Sequence, residues 1–321
     1  MRHLTMGSIV QRRQRGVALI TAVLIVALAT ILAVNVAFRG ALDQRRSANI
    51  FGIDQGFEIA LGAEALAADV LRRDAQESQT DHLGENWAKP VALPVDDGNG
   101  LVEGRLEDLQ GRFNLNNLIF PDGTTNPAAV KQLERLLTMV GVETDWATTI
   151  ADWIDEDVQP GFPNGAEDSV YTSENPPHLA ANMPITRVSE IMYLVGFGPE
   201  RYAKLKPFVT ALPLGTPLNV CTASGPVLDS LLEGQQQFSL NPTYLTEQRK
   251  NTGCFPTLND MKGAMGQAAF DKVRTSLAET TSYFGATVWV TIGTTEFTLY
   301  SLLARGGTGP VRPILRSFGS E

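Results

Sequence analysis

The sequence predicts an α+β protein carried on a long amino-terminal transmembrane helix, with an all-helical domain inserted into a sheet-bearing domain. Three observations predict it. Residues 17–38 form an uncharged apolar run, β-branched and aromatic alternation recurs near both ends of the remaining chain, and the interval between those ends reads as short capped helices.

The apolar run contains only Thr21, Thr30 and Asn35 as polar side chains. Its 22 residues, at ~1.5 Å rise, make roughly 33 Å of helix, enough for a bilayer core of about 30 Å. Arg2, Arg12, Arg13 and Arg15 precede it and Asp43 follows, so the positive-inside bias keeps the start cytoplasmic and exports the body. A cleaved secretory signal would have a shorter apolar region, ~7–15 residues, with a small-residue cleavage site beyond it. Ala27-Leu28-Ala29 lies in the middle of the run instead.

Helical periodicity continues without proline to about residue 74. Phe51, Phe57, Leu61, Ala65, Ala68 and Leu71 recur at spacings near three and four, while Arg45, Arg46, Glu58, Glu64, Arg72 and Arg73 can stay wet. A separate juxtamembrane helix after a break near Arg39-Gly40 is the alternative. Residues 82–100 are then turns around short apolar runs, Asp97-Gly98-Asn99-Gly100 being the clearest.

Residues 101–109 alternate like a half-exposed strand. The matching strands come only at the far end, at 283–292 and 296–303, separated by the hairpin signal Gly293-Thr294-Thr295. Residues 311–318 add an edge strand, where Pro313 is tolerable. Between these halves, helices are predicted over 128–140, 144–154, 187–195, 199–209, 223–232 and 259–277 from caps and turn residues. The simplest organisation is a membrane segment at 17–38, an α/β domain split into 39–114 and 281–321, and a helical insert at 115–280.

The charge is −9, from 35 acidic and 26 basic residues, which repels phosphate backbones. Residues 194–205 look like a helix-hairpin-helix turn, and the amides of Gly196-Phe197-Gly198 followed by Arg201, Lys204 and Lys206 could hold a phosphate. On an acidic, exported chain the hairpin reads as a packing unit, and no nucleic-acid partner is expected. Cys221 and Cys254 are the only cysteines. An even pair outside the cytosol predicts one disulfide, whose ~34-residue loop is worth about 3–4 kcal/mol in the chain-entropy picture. Two separate buried thiols are the alternative.

The sharpest chemistry is acidic. Asp152 and Asp155, three apart, share a face at a helix end, and Asp157 falls on the exit loop before Pro160. The loop through Gly161, Pro163, Asn164 and Gly165 can fold Glu167 and Asp168 back toward them. Five clustered carboxylates need compensation, and calcium, which takes six to eight oxygens in flexible loops, supplies it. A solvated acidic loop with helix caps, or the paired carboxylates of a glycosidase beside Trp153, are the competing readings. Other catalytic signals are weak: beyond His3 only His82 and His178 remain, with no nucleophile elbow, H-E-x-x-H, P-loop or complete dinucleotide fingerprint. The chain is therefore read as non-enzymatic.

Arg15-Gly16 followed by Val17-Ala18-Leu19-Ile20-Thr21 resembles the junction of type IV prepilins and pseudopilins, cut on the cytoplasmic side after the glycine. Most such subunits carry glutamate at the fifth mature position, where this chain has Thr21. That departure, with the phrases 152–157 (D-W-I-D-E-D) and 165–171 (G-A-E-D-x-x-Y), resembles the K-type minor pseudopilins of the type II secretion system. The resemblance implies a pseudopilin-like helix and antiparallel sheet, a cleaved leader at 1–16, and Val17 as an amino terminus open to methylation. It implies calcium held by Asp155, Asp157, Glu167 and Asp168, with Asp152. It also implies a structural role at the tip of a periplasmic pseudopilus, with the bulk of the chain periplasmic and the helix in the inner membrane. The implied partners are I- and J-type minor pseudopilins, prepilin peptidase and membrane lipid, and beyond them the outer-membrane secretin and secreted proteins. The alternative is a membrane-anchored periplasmic hydrolase using the acidic cluster.

Overall fold

The computed structural model describes residues 15–95, 100–234, 236–306 and 309–319. Residues 1–14 of the expected leader and residues 96–99 of the expected turn lie outside the described residues. Helix α1 runs unbroken over Arg15–Glu77, through Arg39 and Gly40, because no proline interrupts it. Among the described residues it is the one helix long and apolar enough to cross a membrane. The hydroxyls of its apolar segment are satisfied within the helix: Thr21 Oγ1 donates to the carbonyls of Val17 (3.1 Å) and Ala18 (3.0 Å), and Thr30 Oγ1 to that of Val26 (2.8 Å). Such back-bonding leaves no bare hydroxyl in an apolar surrounding.

The chain divides into two compact units, Met1–Gly56 and Phe57–Glu321. The second holds a five-stranded antiparallel sheet in the order β1 (Val91–Val95), β2 (Gly100–Asp108), β7 (Tyr283–Ile292), β8 (Thr295–Ala304), β9 (Arg312–Phe318). Strand β2 lies beside β7, with Val102 opposite Val290 and Asp108 opposite Phe284, so the whole interval between them leaves and re-enters the sheet. The alternation expected of a half-buried strand is visible in β7: Phe284, Ala286, Val288 and Val290 are buried, and they pack with Ala60 and Leu71 of α1 and Leu299 and Leu303 of β8. Buried Glu64 of α1 is held from the sheet by Arg316 (2.6 and 2.9 Å) and the Ser301 hydroxyl. Pro313 sits on edge strand β9, where its missing N–H costs no ladder bond on an inner strand. Strand β1 has no counterpart in the sequence reading, because Pro94 and the adjoining turn residues mask five residues of pairing.

The interval carries two short parallel pairs, β3 (Phe113–Asn114) with β4 (Val209–Thr210) and β5 (Leu218–Asn219) with β6 (Leu277–Ala278), and eight helices among the described residues. These are α2 (Pro127–Val140), α3 (Trp146–Ile154), α4 (Asp168–Tyr171), α5 (Gly198–Leu205), α6 (Gly225–Asp229), α7 (Pro242–Thr252), α8 (Leu258–Met265) and α9 (Gln267–Val273). Helix α2 follows its caps: Asn126 accepts from the N–H groups of Ala128 and Ala129, Pro127 opens the first turn, and Gly141 closes it at φ 70°. Leu133, Leu136 and Leu137 of α2 meet Ile150 and Ile154 of α3 in the principal core.

Four predicted helices differ, that at 199–209 ending at Leu205 before a 3-10 turn and strand β4. The span expected at 259–277 is broken at Gly266 (φ 78°), the one at 187–195 is a 3-10 turn over Val188–Tyr193, and that at 223–232 shrinks to α6. Helix α7 was not expected, since its residues are polar on nearly every face and only the Asn241 cap and Pro242 announce it. Buried asparagines brace the short elements: Asn116 exchanges bonds with the backbone of Ile185 (2.9 Å each way), and Asn114 Oδ1 accepts from Leu212 N (3.0 Å). Cys221 and Cys254 are bridged, with Cα atoms 4.5 Å apart.

Candidate metal centre

Helix α3 ends at Ile154, and the chain turns extended at Asp155 (ψ 166°). Asp152, in the last turn and 2% exposed, points into the following loop and accepts from Gly161 N at 2.9 Å. The loop closes on itself through Gly165 N to Gly161 O, 2.8 Å. A Cβ at Gly165 would collide with the Asp152 carboxylate and the Gly161 backbone, and one at Gly161 would lie 2.7 Å from Asp152 Oδ1. The two glycines therefore let the backbone wrap the carboxylate, and Asp152 organises the loop.

That wrapping carries Glu167 back under α3. One oxygen from each of Asp155, Asp157 and Glu167 lies within 4.8 Å of the others. Asp155 is 3% exposed; its Oδ2 accepts from Thr125 Oγ1 (2.7 Å), and its Oδ1 is buried without a partner. Glu167 is 1% exposed, and neither of its oxygens has a partner. Asp157 is exposed, its Oδ1 accepting from Gln159 N (2.7 Å). Asp168 lies next to the trio in sequence but is turned to Ala180 N, 2.9 Å. The structure thus brings three of the five expected acids together, with Asp152 beneath them and Asp168 on the loop wall.

The electrostatics follow. Burial first, then the charges of Asp152, Asp155, Asp157 and Asp168, push Glu167 up to about 7. Burial also raises Asp155, to about 6, against the Thr125 bond and with Asp157 and Asp152 adding to it. Three bare oxygens on two buried carboxylates are costly in a neutral surrounding. A hard divalent cation is the group that such a donor set fits.

Other residues enter that the sequence did not announce. Thr125 comes from 30 residues before Asp155, a separation at which no local pattern operates. Asn182 donates from its backbone to Trp153 O (3.1 Å) and from Nδ2 to Asp157 O (3.3 Å), leaving its buried Oδ1 without a partner. Tyr171 is wholly buried, its hydroxyl also unpartnered, and its phenol is raised by burial and then by Asp152 and Glu167. Trp153 is 5% exposed and packs edge-on against Tyr171 at 5.0 Å, so its face is not available as a sugar platform. In the hairpin, Arg201 is committed to Glu143 (2.7 and 2.8 Å) and to the carbonyls of Gly196 and Phe197, and Lys204 to that of Gly141.

A long helix with an apolar first segment, an antiparallel sheet with short helices between β2 and β7, and a carboxylate-lined loop are the features the sequence reading associates with a pseudopilin-type secretion subunit. The family model described as type II secretion system (T2SS), protein K, matches residues 111–214. The type II secretion system protein K of Pseudomonas aeruginosa is 38% identical over 320 residues, 96% of this chain and 94% of that protein. That of Klebsiella pneumoniae is 33% identical, over 92% and 94%. The crystal structure of the GspK-GspI-GspJ complex from the type 2 secretion system of enterotoxigenic Escherichia coli superposes with a TM-score of 0.74 at 26% identity, covering 87% of this chain and 100% of that one. This chain belongs to the type II secretion system protein K family and is a minor pseudopilin.

Proposed function

We propose that this subunit caps the periplasmic pseudopilus, anchored in the inner membrane by residues 17–38 with its bulk in the periplasm. It assembles there with I- and J-type minor pseudopilins, as the solved relative does in its complex, and supports export of folded proteins without catalysis of its own. The observation that carries the reading is Thr21, whose hydroxyl is satisfied by its own helix. A carboxylate at this depth would need a neighbour's amine, and a subunit without one needs no neighbour above it. The bulky insert suits the same place, since it would be hard to pack inside a helical shaft.

The leader is removed between Gly16 and Val17, by prepilin peptidase, and Val17 is methylated. Calcium binds at Asp155, Asp157 and Glu167, with Asp152 and Asp168 shaping the loop, and its role is to neutralise and hold that loop. Co-expression with prepilin peptidase and mass measurement of the intact chain tests the assembly reading. The expected amino terminus is methylated Val17; a chain that begins beyond residue 38, or that keeps Met1 with the peptidase present, overturns it. Metal analysis of protein purified in calcium tests the ion.

A further inference from the structure

Around the metal centre the surface has a second property that cation binding does not use. Residues 136–186 contain nine carboxylates and neither lysine nor arginine. A divalent ion would offset two of those charges and Arg201 a third, at Glu143, while Glu156 and Glu174 stay exposed. The same stretch and the turn after it expose large apolar side chains: Phe162 is 96% exposed, Tyr193 66%, Val158 63%, Leu179 61% and Met183 60%. None of them belongs to any of the three hydrophobic clusters of the fold.

The backbone that carries these side chains is braced by the loop's own bonds. Asn182, which precedes Met183, donates from Nδ2 to the carbonyl of Asp157, which precedes Val158 (3.3 Å), and the ring of His178, which precedes Leu179, lies 6.5 Å from that of Tyr193. Phe162 follows Gly161, which is fixed on Asp152, and precedes Gly165, which is fixed on Gly161. Exposed Glu156, Asp157 and Glu174 are interleaved with them along the chain. Exposed apolar anchors on a constrained loop, interspersed with one sign of charge, are the features of a protein-docking surface, and complementarity requires the opposite sign across it. The same charge repels nucleic acid and anionic lipid.

We propose that the loop over residues 156–183 docks a protein partner whose contact surface is rich in lysine and arginine around an apolar recess that receives Phe162. The proposal rests on the periplasmic secretion role given above. The test uses the full chain, expressed in secreting cells that lack their own copy, with the photo-crosslinker p-benzoylphenylalanine at position 162 or 179, and at Tyr244 on α7 as the control site. The expected result is one adduct from 162 and 179 and none from 244, joined to a partner peptide flanked by lysine or arginine. The double variant Glu156→Gln, Glu174→Gln should lower that adduct by about fivefold, as loss of complementary rim charge does, with the calcium-bound melting temperature unchanged. No adduct above the control, an adduct indifferent to the charge change, a second copy of this chain as partner, or a captured surface without basic residues overturns the proposal. Secretion restored without an adduct sinks the docking site alone. An adduct of the expected kind in cells whose secretion is not restored supports the docking site and counts against the secretion role.

Discussion

Two carboxylate trios lie among the described residues, Asp74, Asp81 and Glu85 in one and Asp155, Asp157 and Glu167 in the other, each with one oxygen per residue within 4.8 Å of the others. They solve the same repulsion differently. The first encloses Arg305, 6% exposed, which donates to both oxygens of Asp81 (2.5 Å each), to Asp74 (3.1 Å) and to the carbonyls of Leu71 and Thr281, and lies 4.8 Å from the Phe284 ring. Glu85 is satisfied by Trp87 Nε1 and His82 N. The second trio receives one side-chain hydroxyl and no basic side chain. A guanidinium supplied by the chain makes a joint between the end of α1 and the sheet; its omission leaves Asp155 Oδ1 and both Glu167 oxygens without a partner.

The largest expected effect breaks the first trio. Arg305→Met should lose about 3–5 kcal/mol, because it abandons buried Asp81 and Asp74 without their partner. Urea unfolding should return the same loss with calcium or with chelator. A loss that appears only in calcium would mean the two trios are coupled.

Calcium removal is next. An ion bound to the native state alone adds RT ln(1 + [L]/Kd), about 4 kcal/mol when free calcium is a thousandfold above Kd. Chelation should therefore lower the melting temperature of the wild type, and of the Arg305→Met variant by as much. No calcium-dependent shift in either protein removes the metal centre.

How much of this contrast was legible in the sequence depends on separation along the chain. The second trio lies within thirteen residues and its glycines announce the loop, so its acids could be named; that Asp168 turns away and that Thr125 joins could not, since both follow from tertiary closure. The first trio was invisible. Asp74, Asp81 and Glu85 read as surface charges at a helix end, and only the β8 terminus, more than two hundred residues on, brings Arg305 to them. Strands β2, β7 and β8 were legible because one buried face enforces alternation, whereas β1 and α7 have little buried face and leave no periodicity to read.

Titration sharpens the comparison. Glu167 and Asp74 are each raised to about 7, and Asp155 to about 6, burial being the first cause in all three. A raised carboxyl pKa means the native state holds a proton that the unfolded chain releases, so its contribution is complete below about pH 4 and is lost as pH climbs toward the folded value. In chelator the melting temperature should fall between pH 5 and 7.5. In calcium the second trio should stop contributing to that fall, since an ion bound to the deprotonated carboxylates would gain affinity over the same window. Asp74 contributes to the residual fall, together with Asp108 and Asp152, which burial also raises, and Asp74→Asn should reduce it. A slope that is identical in calcium and chelator would separate Glu167 from the ion.

The smallest effect tests the one hydroxyl the second trio receives. Thr125→Val keeps the shape but removes the donor at 2.7 Å from Asp155 Oδ2, leaving both oxygens of that carboxylate bare. In chelator the loss should be about 1 kcal/mol, the usual net worth of such a bond, and melting curves should resolve it. Saturating calcium should shrink the difference, because an ion that satisfies Asp155 makes the hydroxyl partly redundant. If the loss is the same in both media, Thr125 and the ion act on Asp155 independently, and the carboxylate's second oxygen is not where the cation takes hold.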